Sequence, residues 1–328
     1  MPRNGSGTYA LPQAAFVSGT TISSSAVNSN LSDIAGQLTN SVAADGQTAL
    51  TGNLNLGTHA ITGATNITAS GTVAAGAVTV NSVALPALLR GYIDGLTLSR
   101  VSATQIGVQA GVATDSTSAA TIRFGSSFTK STAGTWVAGT FQNGMGVALT
   151  ITNTAWYHVF AIIKAGAADI YIDTSASAAN KPVGTTYFRR IGSFLTNGSA
   201  QIIAFTQIGD RFVWSVPVNN YTTAGLDTTP AYAAATVPTG VVVEAQMNGY
   251  VYNGSSQCEV LIYSTYAAPQ AAQSPSGNAQ FTVLPAEDAA GSVSILTDTS
   301  GGVYVVSTAS NTALDLVTTG WIDRRGKE

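Results

Sequence analysis

The sequence predicts a mainly β protein with a short N-terminal helix, a thin β neck and a C-terminal head resembling a β-sandwich or jelly roll. Short runs of β-branched and aromatic residues, bounded by Gly, Asn, Asp or Pro, recur from residue 91 onward and are typical of strands joined by turns. Only 9% of the residues are charged, well below the average of about 25% for soluble proteins. One stretch near the N-terminus has a helical period instead.

Residues 1–50 are predicted to form an N-terminal segment with a helix at about residues 23–43. Apolar residues recur there at steps of four, three, four and four, which places them on one helix face; they are Val27, Leu31, Ile34, Leu38 and Val42. The serines at 23–25 offer an N-cap. Because this narrow stripe must be buried, we expect a parallel trimeric bundle of identical chains, with docking onto the chain's own C-terminal domain as the alternative.

Residues 51–90 are low in complexity, with isolated apolar residues separated by Gly, Ala, Thr, Ser and Asn. Residues 53–57 and 77–81 alternate with period two, which favours short strands. So thin a segment cannot bury a core of its own, whereas three copies around a common axis could bury these rows mutually. We interpret the segment as a neck or shaft, with disorder as the alternative.

Residues 91–328 are predicted to form the head, organised around the strand-rich stretch at 156–214. In residues 156–163 both alternating sets are largely apolar, so this strand is expected to be covered on both faces. The other candidate strands lie at 96–101, 105–112, 121–124, 147–151, 169–173, 187–195, 201–206, 211–218, 240–247, 249–253, 258–265, 280–284, 292–296, 303–307 and 313–321. Loops are expected at 125–146 and 219–239, and any binding residues of this region should lie on them rather than in the strands.

Composition argues against several classes of protein. The net charge is −3, and Lys and Arg cluster only at residues 189–190 and 324–325, so the electrostatic footprint of a nucleic-acid-binding protein is missing. No run of about 18 apolar residues predicts a membrane-inserted helix, and residues 1–7 lack the apolar segment of a signal peptide. The single cysteine, Cys258, excludes an internal disulfide and is expected to pack as a small hydrophobe.

The sequence also offers no recognisable catalytic, cofactor or metal motif, and we predict that the protein is not an enzyme. Its two histidines, His59 and His158, have no third ligand at a metal-binding spacing, and His158 is expected to be a hydrogen-bonded core or sheet residue. Two carboxylate pairs leave glycan hydrolysis as an alternative. Glu244 and Glu259 could face each other across a ladder, and Asp169 and Asp173 have equal strand parity.

Two sets of side chains remain as candidates for structural or binding roles. The arginines and aspartates at 189–190, 210–211 and 323–325 suggest ion pairs that fix loops, the last group between subunits, with contacts to glycan or lipopolysaccharide as the alternative. Aromatic rings stack on sugar faces, and the candidates by predicted loop position are Trp136, Phe141, Tyr221, Tyr232 and Tyr252. The alternative for each ring is loop packing or a subunit contact.

Several motifs together resemble bacteriophage tail-fibre proteins. The N-terminal runs MPRNGSGTY (1–9), GTTISSS (19–25) and NLSDI (30–34) resemble a virion-anchoring segment, and GNLNLGTHAITG (52–63) resembles a neck repeat. Residues 91–328 are similar to a β-rich module of phage tail proteins, through GYIDGL (91–96), GVATDS (111–116), WYHVF (156–160), RRIGS (189–193), GDRFVW (209–214) and GWIDRRG (320–326).

The resemblance implies a homotrimeric fibre protein of the virion, assembled in the host cytoplasm. Residues 1–50 would attach it to a tail, baseplate or nozzle protein, and the head would bind a host surface glycan or lipopolysaccharide. The resemblance brings no catalytic residues, and the long parallel β-helix of enzymatic tailspikes is missing. The alternatives are an adaptor whose head docks another fibre or spike and, less favoured, a glycan depolymerase or a head fibre.

Overall fold

The structure is a computed structural model, and it describes residues 17–39, 79–80, 83–84, 89–272 and 278–327. The chain divides into two compact units, Met1–Ala74 and Ala75–Glu328. The described part of the first unit is a helix, and the described part of the second is built of strands. The chain is therefore mainly β, as predicted. The anchoring motif at 1–9, the predicted strand at 53–57 and Val42 lie outside the described residues.

The helix, α1, spans Ser24–Thr39, which confirms the predicted helix; its predicted extension to residue 43 lies outside the described residues. Ser23 precedes the first turn, and its carbonyl oxygen accepts the N–H of Val27 at 3.1 Å. Its hydroxyl lies 2.7 Å from that of Ser25, so the serines bond to each other. On the predicted apolar face, Val27 and Ile34 are half-buried and Leu31 is 58% exposed.

The described residues contain 21 strands. They are β1 (Thr79–Val80), β2 (Val83–Ala84), β3 (Ile93–Gly95), β4 (Leu98–Ser102), β5 (Gln105–Val108), β6 (Gly111–Thr114), β7 (Thr121–Phe124), β8 (Phe128–Thr135), β9 (Gln142–Met145), β10 (Trp156–Lys164), β11 (Ala167–Asp173), β12 (Thr185–Leu195), β13 (Phe205–Ile208), β14 (Arg211–Leu226), β15 (Ala231–Ala234), β16 (Glu244–Asn253), β17 (Cys258–Ser264), β18 (Phe281–Val283), β19 (Glu287–Leu296), β20 (Gly302–Ser307) and β21 (Thr312–Ile322).

The largest sheet has the strand order β12-β10-β11-β9-β8-β5-β4-β13-β14-β21-β16-β19. Two further sheets have the orders β15-β20-β17-β18 and β3-β6-β7, and β1 pairs with β2. The two pairs that β9 forms, with β8 and with β11, are parallel; the other pairs among the described strands are antiparallel. Two of the pairings in the large sheet are very short, since β9 pairs with β11, and β4 with β13, at a single residue pair each.

One hydrophobic cluster contains buried side chains from the twelve-, four- and three-stranded sheets, including Trp321, Val305 and Ile122. At its centre the ring of Trp321 stacks on Phe212 at 4.8 Å and lies 4.9 Å from Trp214. These aromatic rings come from β14 and β21, which pair along most of their length. The second unit therefore has a continuous core, and its edges carry the loops and turns.

The predicted strand at 147–151 is wrong. The backbone turns there: Ala148 has a φ of 60°, and the N–H of Leu149 donates to the carbonyl of Gly146 at 3.1 Å. The N–H of Val147 bonds to the carbonyl of Asn180 at 2.8 Å instead of to a neighbouring strand. Leu149 and Ile151 pack against the core from this segment, whereas Val147 is exposed, so the apolar alternation does not mark a strand.

The two segments predicted as recognition loops are largely strands. Residues 125–146 contain β8 and β9, and residues 219–239 contain the end of β14 and all of β15. Both segments are rich in Ser, Thr, Ala and Gly, a composition typical of loops. Their main chains nevertheless form hydrogen bonds with neighbouring strands. The predicted strands at 240–247 and 249–253 form one strand, β16, which begins at Glu244.

Candidate functional site

The solvent-facing side of β16 and its two neighbours forms a surface that we call the outer face. It consists of Gln246, Asn248, Tyr250 and Tyr252 on β16, Asp288, Ser292 and Ser294 on β19, and Asp315 on β21. Strict alternation creates this surface, since Ala245, Met247 and Val251 point into the core from the same strand. The outer face is therefore a flat array of polar side chains around two phenol rings.

The two tyrosines of the outer face are Tyr250 and Tyr252, and each is 39% exposed. Two residues along a strand separate them by roughly 7 Å. Tyr252 pairs with Asp288 on β19, and Tyr250 pairs with Asp315 on β21. Partial desolvation and the carboxylate of Asp288 raise the pKa of Tyr250 above its ordinary value, so its hydroxyl keeps its proton at neutral pH.

Side-chain hydrogen bonds hold the polar part of the outer face in place. Arg211 donates from Nη2 to Oε1 of Gln246 at 2.8 Å, and the amide of Gln246 donates to the hydroxyl of Ser294. Ser294 in turn donates to the carboxylate of Glu244. Fixed amide, hydroxyl and carboxylate groups beside a ring can read the hydroxyls of a polar ligand with little loss of side-chain entropy on binding.

The five aromatic residues proposed from the sequence do not form one patch. Tyr252 lies on the outer face, whereas Tyr221 is half-buried and packs against the core from β14. Tyr232 lies on β15 in the four-stranded sheet, 45% exposed, and its hydroxyl donates to Asp298 at 3.2 Å.

Trp136 and Phe141 belong to the segment that joins β8 to β9. The indole N–H of Trp136 donates to the carbonyl of Ile170 at 2.9 Å, and the ammonium groups of Lys130 and Lys164 lie 5.1 and 5.6 Å from its ring. This residue therefore has a packing role in the structure. Phe141 is 66% exposed with a φ of 61°.

The outer face also contains residues that the sequence analysis missed. Tyr250 and Asp288 were not among the candidates, although Tyr250 has the same parity as Tyr252 in an alternating strand. This shared parity could have identified Tyr250 as a candidate from the sequence. Asp288 could not have been found in the same way, because its place beside Tyr252 depends on the register of β16 with β19.

The carboxylate pairs proposed for hydrolysis are not arranged for it. Glu244 lies on β16 in the large sheet and Glu259 on β17 in the four-stranded sheet, so the expectation that they oppose each other across a ladder is wrong. Asp169 is buried and pairs with Lys130 at 2.9 Å. Asp173 is fully buried and accepts hydrogen bonds from Asn180 and Ser175.

His158 and Cys258 have the structural roles expected from the sequence. His158 is 1% exposed, and its Nδ1 lies 2.9 Å from the hydroxyl of Ser193. Burial, followed by the charge of Arg190, lowers its pKa to about 4, so the ring is neutral at pH 7. Cys258 is buried in the main cluster, and burial raises the pKa of its thiol. Among the described residues, no three His, Cys, Asp or Glu side chains are grouped to hold a metal ion.

Two of the predicted ion pairs form within one chain. Arg190 binds Asp323 through both terminal nitrogens, at 2.6 and 2.7 Å, and Arg325 binds Asp210 at 2.8 Å. Asp323 and Arg325 thus have ion-pair partners within the single chain, and their role between subunits stays a prediction. Arg211, which was also expected to take part in an ion pair, donates a hydrogen bond to Gln246.

Among the described residues, no helix is both long and apolar enough to cross a membrane. No protein-family model matches the chain, and no curated protein matches its sequence.

Proposed function

We propose that the chain is a structural protein of a bacteriophage tail fibre that attaches to the virion through residues 1–50 and binds a glycan of the host surface through its head. The N-terminal and neck motifs support the attachment role by their resemblance to tail-fibre sequences. The mainly β second unit agrees with such a head. The partners are then a second and third copy of the chain, a tail protein and a host saccharide.

The observation that carries the binding role is the outer face. Tyr250 and Tyr252 offer two partly exposed rings on one strand, with Asn248, Asp288 and Asp315 beside them. Aromatic rings contact the apolar faces of sugars, and carboxylate and amide groups accept and donate hydrogen bonds to sugar hydroxyls. Strand β16 pairs with a strand on each side, which keeps its side chains at a fixed spacing. A regular row of side chains favours a ligand with a repeating structure.

The proposal includes a β-sandwich head and a parallel trimer. A β-sandwich head is supported by the single hydrophobic cluster to which the large and the four-stranded sheets both contribute. A parallel trimer is supported by the apolar stripe of α1, whose Leu31 is 58% exposed in the single chain. Three copies would present three outer faces, so weak sites would gain affinity through effective concentration.

The test is binding of the full-length protein to an array of bacterial capsular polysaccharides and lipopolysaccharides. Tyr250→Ala and Tyr252→Ala should each reduce binding to the recognised glycan at least about tenfold, and the double variant should abolish it. Tyr266→Ala is the matched control, because Tyr266 is 61% exposed in the turn after β17 and is not one of the outer-face residues. Binding that survives the double variant would exclude the outer face, and an array without any ligand would favour the adaptor role.

A further inference from the structure

A cavity of about 590 Å³ lies where the end of β21 meets β12, away from the outer face. Four arginines contribute to its wall, Arg189, Arg190, Arg324 and Arg325, together with one carboxylate, that of Asp323. The whole chain has only 13 Lys and Arg residues, so this is a strong local concentration of positive charge.

Two of the four guanidinium groups are neutralised inside the protein. Arg190 is bound by Asp323 through two hydrogen bonds, and Arg325 by Asp210, which lies outside the cavity wall. No carboxylate of a described residue lies within ion-pair distance of Arg189 or Arg324. The cavity therefore has an excess of about two positive charges.

Arg189 carries its charge at a buried position, where it is 5% exposed. Its Nε donates to the carbonyl of Arg325 at 3.0 Å, and its Nη2 donates to the carbonyls of Gly326 and Gly91 at 2.6 and 3.3 Å. Carbonyl groups fix this side chain without cancelling its charge. Burial, followed by the charges of Arg190 and Arg325, lowers the pKa of Arg189, while the more distant carboxylate of Asp115 opposes this shift.

The rest of the wall suits a sugar ring. Phe188 is half-buried at the cavity, and the hydroxyl-bearing residues Ser116, Ser177 and Thr299 are exposed around it. The side chain of Arg324 is exposed and makes no hydrogen bond or ion pair to a described residue, so its guanidinium can turn toward a ligand without breaking a contact. Arginine is well suited to carboxylate and phosphate groups, because its planar fork can make two charge-assisted hydrogen bonds.

We propose that this arginine cavity binds the acidic group, a carboxylate or a phosphate, of an anionic saccharide. The class of host glycan would then be acidic, so this inference rests on the proposed adhesion function and deepens it. The outer face would contact neutral parts of the same polymer, and the arginine cavity would select chains that carry a charge. Arg324 would make the adjustable contact, and Arg189 would supply the fixed charge below it.

The experiment is calorimetric titration of the full-length protein with glucuronate, glucose 6-phosphate and neutral glucose. We expect saturable binding of at least one of the two anions, and binding of glucose at least about tenfold weaker. The two anions distinguish a carboxylate from a phosphate as the recognised group. Arg324→Gln, which removes an exposed charge without breaking a described contact, should weaken anion binding at least about tenfold, and Arg324→Lys should restore part of it.

The matched control is Arg123→Gln, because Arg123 is an exposed arginine on β7 that does not line the cavity. It should leave anion binding unchanged. No binding of either anion, equal binding of glucose, or equal losses in Arg324→Gln and Arg123→Gln would each overturn the proposal. Anion binding that depends on Arg324 in a protein that binds no bacterial glycan would instead overturn the adhesion function and leave the arginine cavity as an anion site.

Discussion

The ammonium of Lys130 lies 2.9 Å from the carboxylate of Asp169, with exposed side-chain fractions of 0% and 7%. Lys130 also donates to the carbonyl of Val137, and Asp169 accepts the N–H of Gly139 at 2.8 Å. The pair thus joins β8 and β11 to the turn that leads into β9. Desolvation lowers the pKa of Lys130, while the hydrogen bond and charge of Asp169 oppose this shift.

Loss of either partner is expected to destabilise the protein strongly, because it leaves a buried charge unpaired. Lys130→Met and Asp169→Asn should each lower the free energy of unfolding by about 3–5 kcal/mol. The double variant should lose less than the sum of the two, since it removes both charges. Urea denaturation followed by circular dichroism measures the three values. If the loss in the double variant equals the sum of the two single losses, the two side chains have no coupling energy.

Acid should destabilise the protein through His158 between about pH 6.5 and 4. The pKa of this ring is about 4 in the folded chain, against an ordinary value of 6.5, because burial and then Arg190 disfavour its charged form. In that window the unfolded chain binds a proton that the folded chain does not, so the free energy of unfolding falls as the pH falls. The loss is about 3 kcal/mol at most, and stability is independent of this group above about pH 7.

His158→Asn can keep the hydrogen bond to Ser193. This variant should have a weaker dependence of the melting temperature on pH between pH 6.5 and 4. The same substitution at His59, the other histidine, provides the control and should retain the slope. Carboxylates with lowered pKa values, such as Asp115 and Asp210, act mainly below about pH 5, so the part of this window above pH 5 reports on His158. Equal slopes in the wild type and His158→Asn would contradict the assignment.

A methyl group at Gly320 should disrupt the pairing of β14 with β21. A Cβ atom there would lie 2.1 Å from the carbonyl oxygen of Phe212, which is main chain and cannot move alone. Gly320→Ala should therefore lower the free energy of unfolding by about 1–3 kcal/mol or more. Gly125→Ala is the control, because nothing lies within 4 Å of its Cβ position, and it should change stability by less than about 0.5 kcal/mol.

The sequence predicted the centre of the head better than its surroundings. The strand at 156–163 was predicted almost to its observed limits, Trp156–Lys164, because it is apolar on both faces and bounded by turn residues. The strand at 147–151 was wrong because its backbone direction is set by the contact with Asn180, distant in sequence. Strands β8 and β9 were missed because they are rich in polar and small residues, and because they pair with β5 and β11, which are distant in the sequence.

The candidate sites were predictable only in part, for the same reason. Tyr252 could be chosen from the sequence, but its neighbour Asp288 follows from strand register. The arginine cavity joins residues that are far apart, as Arg190 and Asp323 are 133 positions apart along the chain. An Arg-Arg pair in the sequence indicates only the charge of its own short segment. The excess positive charge of the cavity follows from the fold, which brings β12 and the end of β21 together.

Trp214 and Trp321 are two buried indoles whose rings lie 4.9 Å apart. The N–H of Trp214 donates to the carbonyl of Thr236 at 3.1 Å, whereas no described residue accepts a hydrogen bond from the N–H of Trp321. Replacement by Phe removes a similar volume at both positions. It breaks a hydrogen bond in Trp214→Phe and removes an unpaired donor in Trp321→Phe.

Trp321→Phe should therefore cost about 1–2 kcal/mol less stability than Trp214→Phe. Urea denaturation followed by circular dichroism is the appropriate measurement, since both substitutions change the fluorescence. Stacking of Trp321 on Phe212 at 4.8 Å can be retained by a phenyl ring, which further limits the cost at this position. A larger loss in Trp321→Phe would mean that the indole N–H has a partner in solution, such as a buried water molecule.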